Sequence, residues 1–168
     1  TGMTGYQEVF TDPSYFGQIL VMTTDHIGNY GVKESDVESE SIKIAGLVCK
    51  KFSNNYSRAM GSDSLDGYFT QNNLVGISDI DTRSLVAHLR EAGTQNAIIS
   101  SETFDVETLL KQLNEVPSMD GLELASEVST KEFYTDGNPD SAFKVALIDF
   151  GSKKNISRCL IERDCYLG

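Results

Sequence analysis

Three thiols, two imidazoles and a few neighbouring carboxylates are the side chains of this sequence best suited to covalent or acid–base chemistry. A nucleophilic cysteine needs a lowered pKa, supplied by a nearby histidine or a helix N-terminus. Cys49 lies in an apolar run that reads as a strand, Cys159 inside a helical run, and Cys165 at the end of that run. None sits on a glycine-rich turn, and no CxxC spacing occurs, so all three are expected to be reduced packing residues. His26 and His88 lack the second ligand at metal-site spacing. His26 falls in a glycine-rich loop, where a backbone hydrogen bond is its expected task, and His88 falls on the flank of a helix. Asp79 and Asp81 could suggest acid–base work. Asp81 is better placed to cap a helix, with Arg83 in the first turn and an ion pair as the second choice. Gly151-Ser152-Lys153-Lys154-Asn155 stands between a strand and a helix, where phosphates can bind. It lacks the glycine pattern of a phosphate loop and is expected to be domain-junction structure. Gly2, Gly5, Gly28 and Gly31 could form a backbone-rich surface that lets another chain approach closely. Ser14, in Thr11-Asp12-Pro13-Ser14, carries a hydroxyl that can donate and accept on a turn stiffened by Pro13. Taken alone, it describes a turn serine bonded to its own backbone.

The elements that must position these residues follow from pattern and punctuation. Gly17 to Thr23 and Ile42 to Lys50 read as strands, separated by a breaker-rich loop over Asp25 to Gly31 and a polar approach over Glu34 to Ser41. Ser53 to Ser62 reads as a loop and Ser64 to Asn72 as a short helix with Leu65, Tyr68 and Phe69 on one face. Leu74 to Ile77 is a short strand. Asp81 caps a helix over Thr82 to Ala92, striped by Leu85, Val86, Leu89 and Ala92 and stopped by Gly93. Ala97-Ile98-Ile99 reads as a strand. Asp105 caps a helix over Val106 to Glu115, with Val106, Leu109, Leu110 and Leu113 as its stripe and Pro117 beyond its end. Residues 129–142 are polar and contain Asp136-Gly137-Asn138-Pro139, a linker by turn chemistry. Phe143 to Phe150 reads as an apolar strand and Ile156 to Arg163 as a helix, the opening of an α/β unit.

Composition narrows the function classes. The 168 residues carry a net charge of −11 and a pI near 4.5. Such a balance argues against a nucleic-acid binder, which clusters cations against phosphates. No apolar run approaches the roughly 20 residues of a membrane helix. A cytoplasmic location is expected. The chain opens on Thr1-Gly2-Met3 and closes on Leu167-Gly168, and both ends read as cut, so a fragment is expected.

Six blocks, in order, carry a resemblance. They are Thr1-Gly2-Met3-Thr4-Gly5-Tyr6-Gln7-Glu8, Thr11-Asp12-Pro13-Ser14-Tyr15, His26-Ile27-Gly28-Asn29-Tyr30-Gly31, Val75 to Arg83, Leu89-Arg90-Glu91-Ala92-Gly93, and Asp149-Phe150-Gly151-Ser152-Lys153-Lys154-Asn155-Ile156. Together they resemble the small, glutamine-using subunit family of carbamoyl phosphate synthetase. The resemblance implies an α/β chain: a layered β/β/α N-terminal domain over residues 1–128 with its first strands missing, a linker over 129–142, and over 143–168 the opening strand, loop and helix of a flavodoxin-like class I glutamine amidotransferase domain. It implies that the family's nucleophilic cysteine, histidine and glutamate lie outside this sequence, and that no catalytic residue and no metal belong to it. It gives Ser14 a contact with L-glutamine across the domain boundary. It implies a large-subunit partner that holds ATP and Mg, and a whole enzyme that makes carbamoyl phosphate from glutamine, bicarbonate and ATP for arginine and pyrimidine synthesis. The fragment alone is expected to be inactive, its share being docking and glutamine positioning. The alternative is a non-catalytic interaction domain that keeps the fold.

Overall fold

Leu47, fully buried, lies in the middle strand of a three-stranded parallel sheet. In the computed structural model, which describes residues 4–57 and 61–168, the strands are β1 (Ile19–Val21), β2 (Gly46–Val48) and β3 (Gly76–Ile77), in the order β1-β2-β3. Ile19 to Val21 pair with Gly46 to Val48, and Leu47 and Val48 pair with Gly76 and Ile77. Parallel neighbours need crossovers. Between β2 and β3 the crossover includes the helix α2 (Leu65–Gln71); between β1 and β2 it is the irregular stretch 22–45.

The helix α1 (Tyr6–Thr11) was not anticipated, because six residues are too few to display a period. It forms because Tyr6 and Phe10, one turn apart, both reach the core. Tyr6 stacks on Tyr30 at 4.2 Å, and Phe10 meets Phe69 of α2 edge-on at 5.5 Å. Ile27, Val32, Ile44, Cys49 and Leu65 complete this core. Ser64 caps α2, accepting a hydrogen bond from the Gly67 amide at 3.0 Å, and turns Leu65 and Phe69 inward.

The capped helices lie where the sequence puts them. They are α3 (Thr82–Ala92), capped by Asp81, and α4 (Val106–Glu115), capped by Asp105. Their apolar stripes are less covered than the pattern suggests. Leu85, Val86 and Leu89 are half-buried and Ala92 is exposed, while α4 buries no residue, with Val106 64% and Leu110 52% exposed. Ala97 to Ile99, expected as a strand, are not paired. Apolar β-branched residues favour an extended backbone, but a strand also needs a ladder partner, and these three residues have none although β1 and β3 each keep an outer edge. A short unforeseen helix, α5 (Ala125–Val128), follows.

The C-terminal part holds β4 (Phe143–Val145), α6 (Lys154–Ile161) and β5 (Cys165–Leu167), the two strands pairing in parallel. Cys165 therefore belongs to a buried strand instead of a helix end. Asp164, at φ +62°, breaks the helical run and turns the chain into β5, a change of direction that the apolar pattern did not reveal. Residues 129–142 carry no regular element, though Asp136 exchanges backbone hydrogen bonds with Leu167 at 2.9 and 3.1 Å. No helix among the described residues is long and apolar enough to cross a membrane.

Candidate functional site

Ser14 sits at the centre of a short 3-10 turn, Pro13–Tyr15, that begins where α1 ends. Asp12 caps this turn. Its Oδ1 accepts the Ser14 amide at 2.9 Å. The turn is therefore an Asx-type cap, as its residues suggest. Pro13 is buried and Ser14 exposed. An exposed hydroxyl can both donate and accept.

The other side of this turn is built by the C-terminal segment. Asp12 Oδ2 pairs with Lys153 Nζ at 2.7 Å, and the Asp12 side chain is only 6% exposed. Burial by itself raises the Asp12 pKa. The hydrogen bond from Lys153, the Ser14 amide and the charge of Lys153 outweigh it and hold the carboxyl below its usual value. Lys153 is held upward in turn, chiefly by its hydrogen bond to Asp12. Gly151 fits beneath Pro13: a Cβ there would stand 3.2 Å from Pro13 Cβ and 2.7 Å from Val128 Cγ2. Asp149 shapes the loop by accepting the Gly151 and Ser152 amides at 2.8 and 2.7 Å through Oδ1, while Tyr134 donates to its Oδ2 at 3.1 Å.

A second set of bonds lies alongside. Glu38, 8% exposed, accepts the Lys154 amide on its carbonyl and the Asn155 amide on Oε2, both at 2.9 Å. Its own amide donates to Thr11 Oγ1 at 2.8 Å. Arg158 donates to the Val37 carbonyl at 2.8 Å, and Lys154 pairs with Glu40 at 2.5 Å. The loop Gly151 to Asn155 thus rests on the end of α1 and on residues 37–40. These long-range bonds give the loop a packing role in place of the phosphate role its setting could suggest.

This arrangement falls within a matched family. The model of the carbamoyl-phosphate synthase small chain, CPSase domain, matches residues 1–99. The chain belongs to the carbamoyl-phosphate synthase small-chain family. Carbamoyl phosphate synthase small chains from Aquifex aeolicus, Chlorobaculum tepidum and Escherichia coli are 44%, 43% and 40% identical to it, over 96%, 98% and 99% of this chain and 47%, 45% and 48% of their own. The chain therefore spans about half the length of these relatives.

The other candidate residues of this family member are placed apart from the junction. Cys49 is 1% exposed, and burial, then the charge of Asp79, pushes its thiol up to about 11, the opposite of nucleophile activation. Cys159 is half-buried on α6, Cys165 is buried, and all three thiols are free. His26 is exposed, and its ring bonds nothing among the described residues. The expected backbone bond is absent because Ile27 and Ser53 satisfy that stretch through Ile27 N to Lys51 O and Ser53 N to Ile27 O. His88 is exposed on α3. Asp81 accepts the Ser84 amide and hydroxyl at 3.1 and 2.7 Å, and these bonds hold its carboxyl below the usual range. Arg83 is exposed and forms no ion pair among the described residues.

The glycines of the early motifs face their own chain. A Cβ on Gly28 would stand 2.6 Å from the Ser53 carbonyl, and one on Gly31 2.7 Å from that of Asp63, so the close approach made there is internal. Gly5 opens α1, its amide donating to the Tyr30 hydroxyl at 2.6 Å. Gly2 lies outside the described residues. Among those residues, no group of three or more histidine, cysteine or acidic side chains could hold a metal ion. Sequence reasoning placed Asp12 in the turn but missed its ion pair with Lys153, and it missed Glu38 and Arg158. The three missed contacts are long-range and carried no local signal.

Proposed function

We propose that this chain is the first half of a glutamine-hydrolysing small subunit of carbamoyl phosphate synthetase. Residues 1–128 form its N-terminal domain, 129–142 a linker, and 143–168 the opening of a flavodoxin-like amidotransferase domain. In this reading the large subunit is the partner and holds ATP and Mg, the complex is cytoplasmic, and carbamoyl phosphate feeds arginine and pyrimidine synthesis. The catalytic cysteine, histidine and glutamate come from sequence beyond this chain, which by itself hydrolyses no glutamine. Its share is docking and the presentation of Ser14 to bound L-glutamine.

The observation that carries this reading is the seating of the Asp12–Ser14 turn on the Gly151–Asn155 loop through Lys153 and Gly151. A turn from the N-terminal part is thereby held beside the segment where the amidotransferase domain would open. Ser14 is exposed there, and its hydroxyl can accept from an ammonium or an amide N–H. Support for docking comes from α4, on whose apolar stripe Val106 and Leu110 are exposed and Leu109 and Leu113 only half-buried. The test is Ser14→Ala in the complete subunit assembled with its large partner. Losing one hydrogen bond to a charged group costs about 1.5–3 kcal/mol, so KM for glutamine should rise at least about tenfold with the fold intact. An unchanged KM removes Ser14 from the glutamine site.

A further inference from the structure

Lys153 occupies the N-cap position of α6, where the helix dipole disfavours a cation, and no side chain of its own residue caps the helix. Its charge is compensated from a distant part of the chain. Asp12, almost wholly buried, divides its two oxygens between the Ser14 amide and Lys153 Nζ, at 2.9 and 2.7 Å. One carboxylate thus ties the turn that carries Ser14 to the start of α6. Glu38 supplies the cap that Lys153 does not, taking the Lys154 and Asn155 amides, and bonds back to Thr11, the residue beside Asp12. Both contacts converge on the end of α1 and on one helix start.

We propose that Asp12 is a positioning residue for glutamine use: paired with Lys153 and supported by Glu38, it sets where the Ser14 hydroxyl stands relative to the second part of the chain. The proposal rests on the assignment of Ser14 to the glutamine site. Asp12 touches no substrate and acts through Ser14. Asn at position 12 keeps an oxygen for the Ser14 amide and removes the charge that engages Lys153, so it loosens the clamp while leaving the turn capped. A small displacement of a positioning group costs a large part of its effect.

The experiment uses the complete subunit assembled with its large partner. Asp12→Asn is expected to raise KM for glutamine about tenfold with kcat within about twofold, and to leave the reaction unchanged when ammonia replaces glutamine. Lys153→Met should raise KM similarly, and its combination with Asp12→Asn should be no worse than either alone. Asp12→Asn should add nothing in a Ser14→Ala background. Independent, multiplying effects of Asp12→Asn and Ser14→Ala would overturn the proposal, as would an unchanged KM in Asp12→Asn when Ser14→Ala raises it. If Ser14→Ala leaves KM unchanged, the Ser14 assignment fails, and amide exchange decides the clamp without glutamine. The Ser14, Lys154 and Asn155 amides should exchange at least tenfold faster in Asp12→Asn, or in Lys153→Met should the first variant not fold. Unchanged exchange at those amides overturns the clamp.

Discussion

Gly28 offers a test of how the loop between β1 and β2 is held. Its φ is +92°, and a Cβ placed on it would meet the Ser53 carbonyl oxygen at 2.6 Å and the Leu65 side chain at 3.4 Å. Gly28→Ala therefore carries two costs. An L-residue at positive φ costs about 1–2 kcal/mol. Relieving the contact also moves Ser53, whose amide donates to Ile27 O at 2.8 Å, and a bond of that kind is worth about 1 kcal/mol. Ile27 is 2% exposed and packs in the core, so it cannot shift freely. The sum is about 2–3 kcal/mol, a large part of the roughly 5–15 kcal/mol that holds a domain together. Gly121 supplies the comparison, with φ +81° and nothing within 4 Å of its missing Cβ. Gly121→Ala should cost about 1–2 kcal/mol, the strain alone, about 1 kcal/mol less than Gly28→Ala. Equilibrium urea unfolding followed by far-UV circular dichroism measures both, with equal slopes expected. Equal destabilisation of the two variants would refute the crowding argument, because backbone strain would then account for everything.

Tyr30→Phe should cost about 1–3 kcal/mol, because the Tyr30 hydroxyl accepts the Gly5 and Tyr6 amides at 2.6 and 3.1 Å and the variant leaves both without that acceptor; urea unfolding unchanged from wild type would count against it. Iodoacetamide at pH 8, followed by mass spectrometry, should label half-buried Cys159 well before buried Cys49 and Cys165, and equal rates at Cys49 and Cys159 would contradict the packing role. The Cys49 thiol is raised from 9.0 to about 11 in the folded protein. Its neutral form is thus fully favourable below pH 9, and stability is lost as pH rises from 9 to 11, by about 3 kcal/mol in total. Measured as the difference between wild type and Cys49→Ala, that decline should appear in this window, and a flat difference would refute it.

Punctuation was the most legible part of the fold. Asp81 and Asp105 announce helices α3 and α4 as caps, Ser64 opens the range read for α2, and each of the three accepts an amide hydrogen bond as a cap does. Those signals are local, each made by residues within one turn. The strands were legible as apolar runs but overlong, since hydrophobicity does not mark where a partner strand stops. Only three residues of the apolar run from Phe143 to Phe150 pair with β5, and Ile148 and Phe150 beyond them are 77% and 72% exposed. The stripe on α4 shows the same limit in another form. Spacing states that a helix has an apolar face and says nothing of what covers it, and here Val106 and Leu110 stay exposed while Leu109 and Leu113 are half-buried.

The candidate site divides along the same line. That Asp12 would turn back on Ser14 follows from two residues' separation and the chemistry of a short carboxylate beside proline. That Asp12 would also hold Lys153 could not follow, because 25 acidic side chains compete for 14 cations and every separation along the chain is open to them. With that surplus most carboxylates must stay solvated, so the informative one is the acid withdrawn from water. Asp12 meets that condition with a side chain 6% exposed, whereas the Asp25 and Glu40 side chains, also in ion pairs, stay 57% and 89% exposed. Exposed pairs of this kind contribute little, being screened and costly to order. A buried carboxylate must be matched on both oxygens or it destabilises the fold. Asp12 is matched by the Ser14 amide and by Lys153 at the start of α6, and this double match ties the turn to the helix.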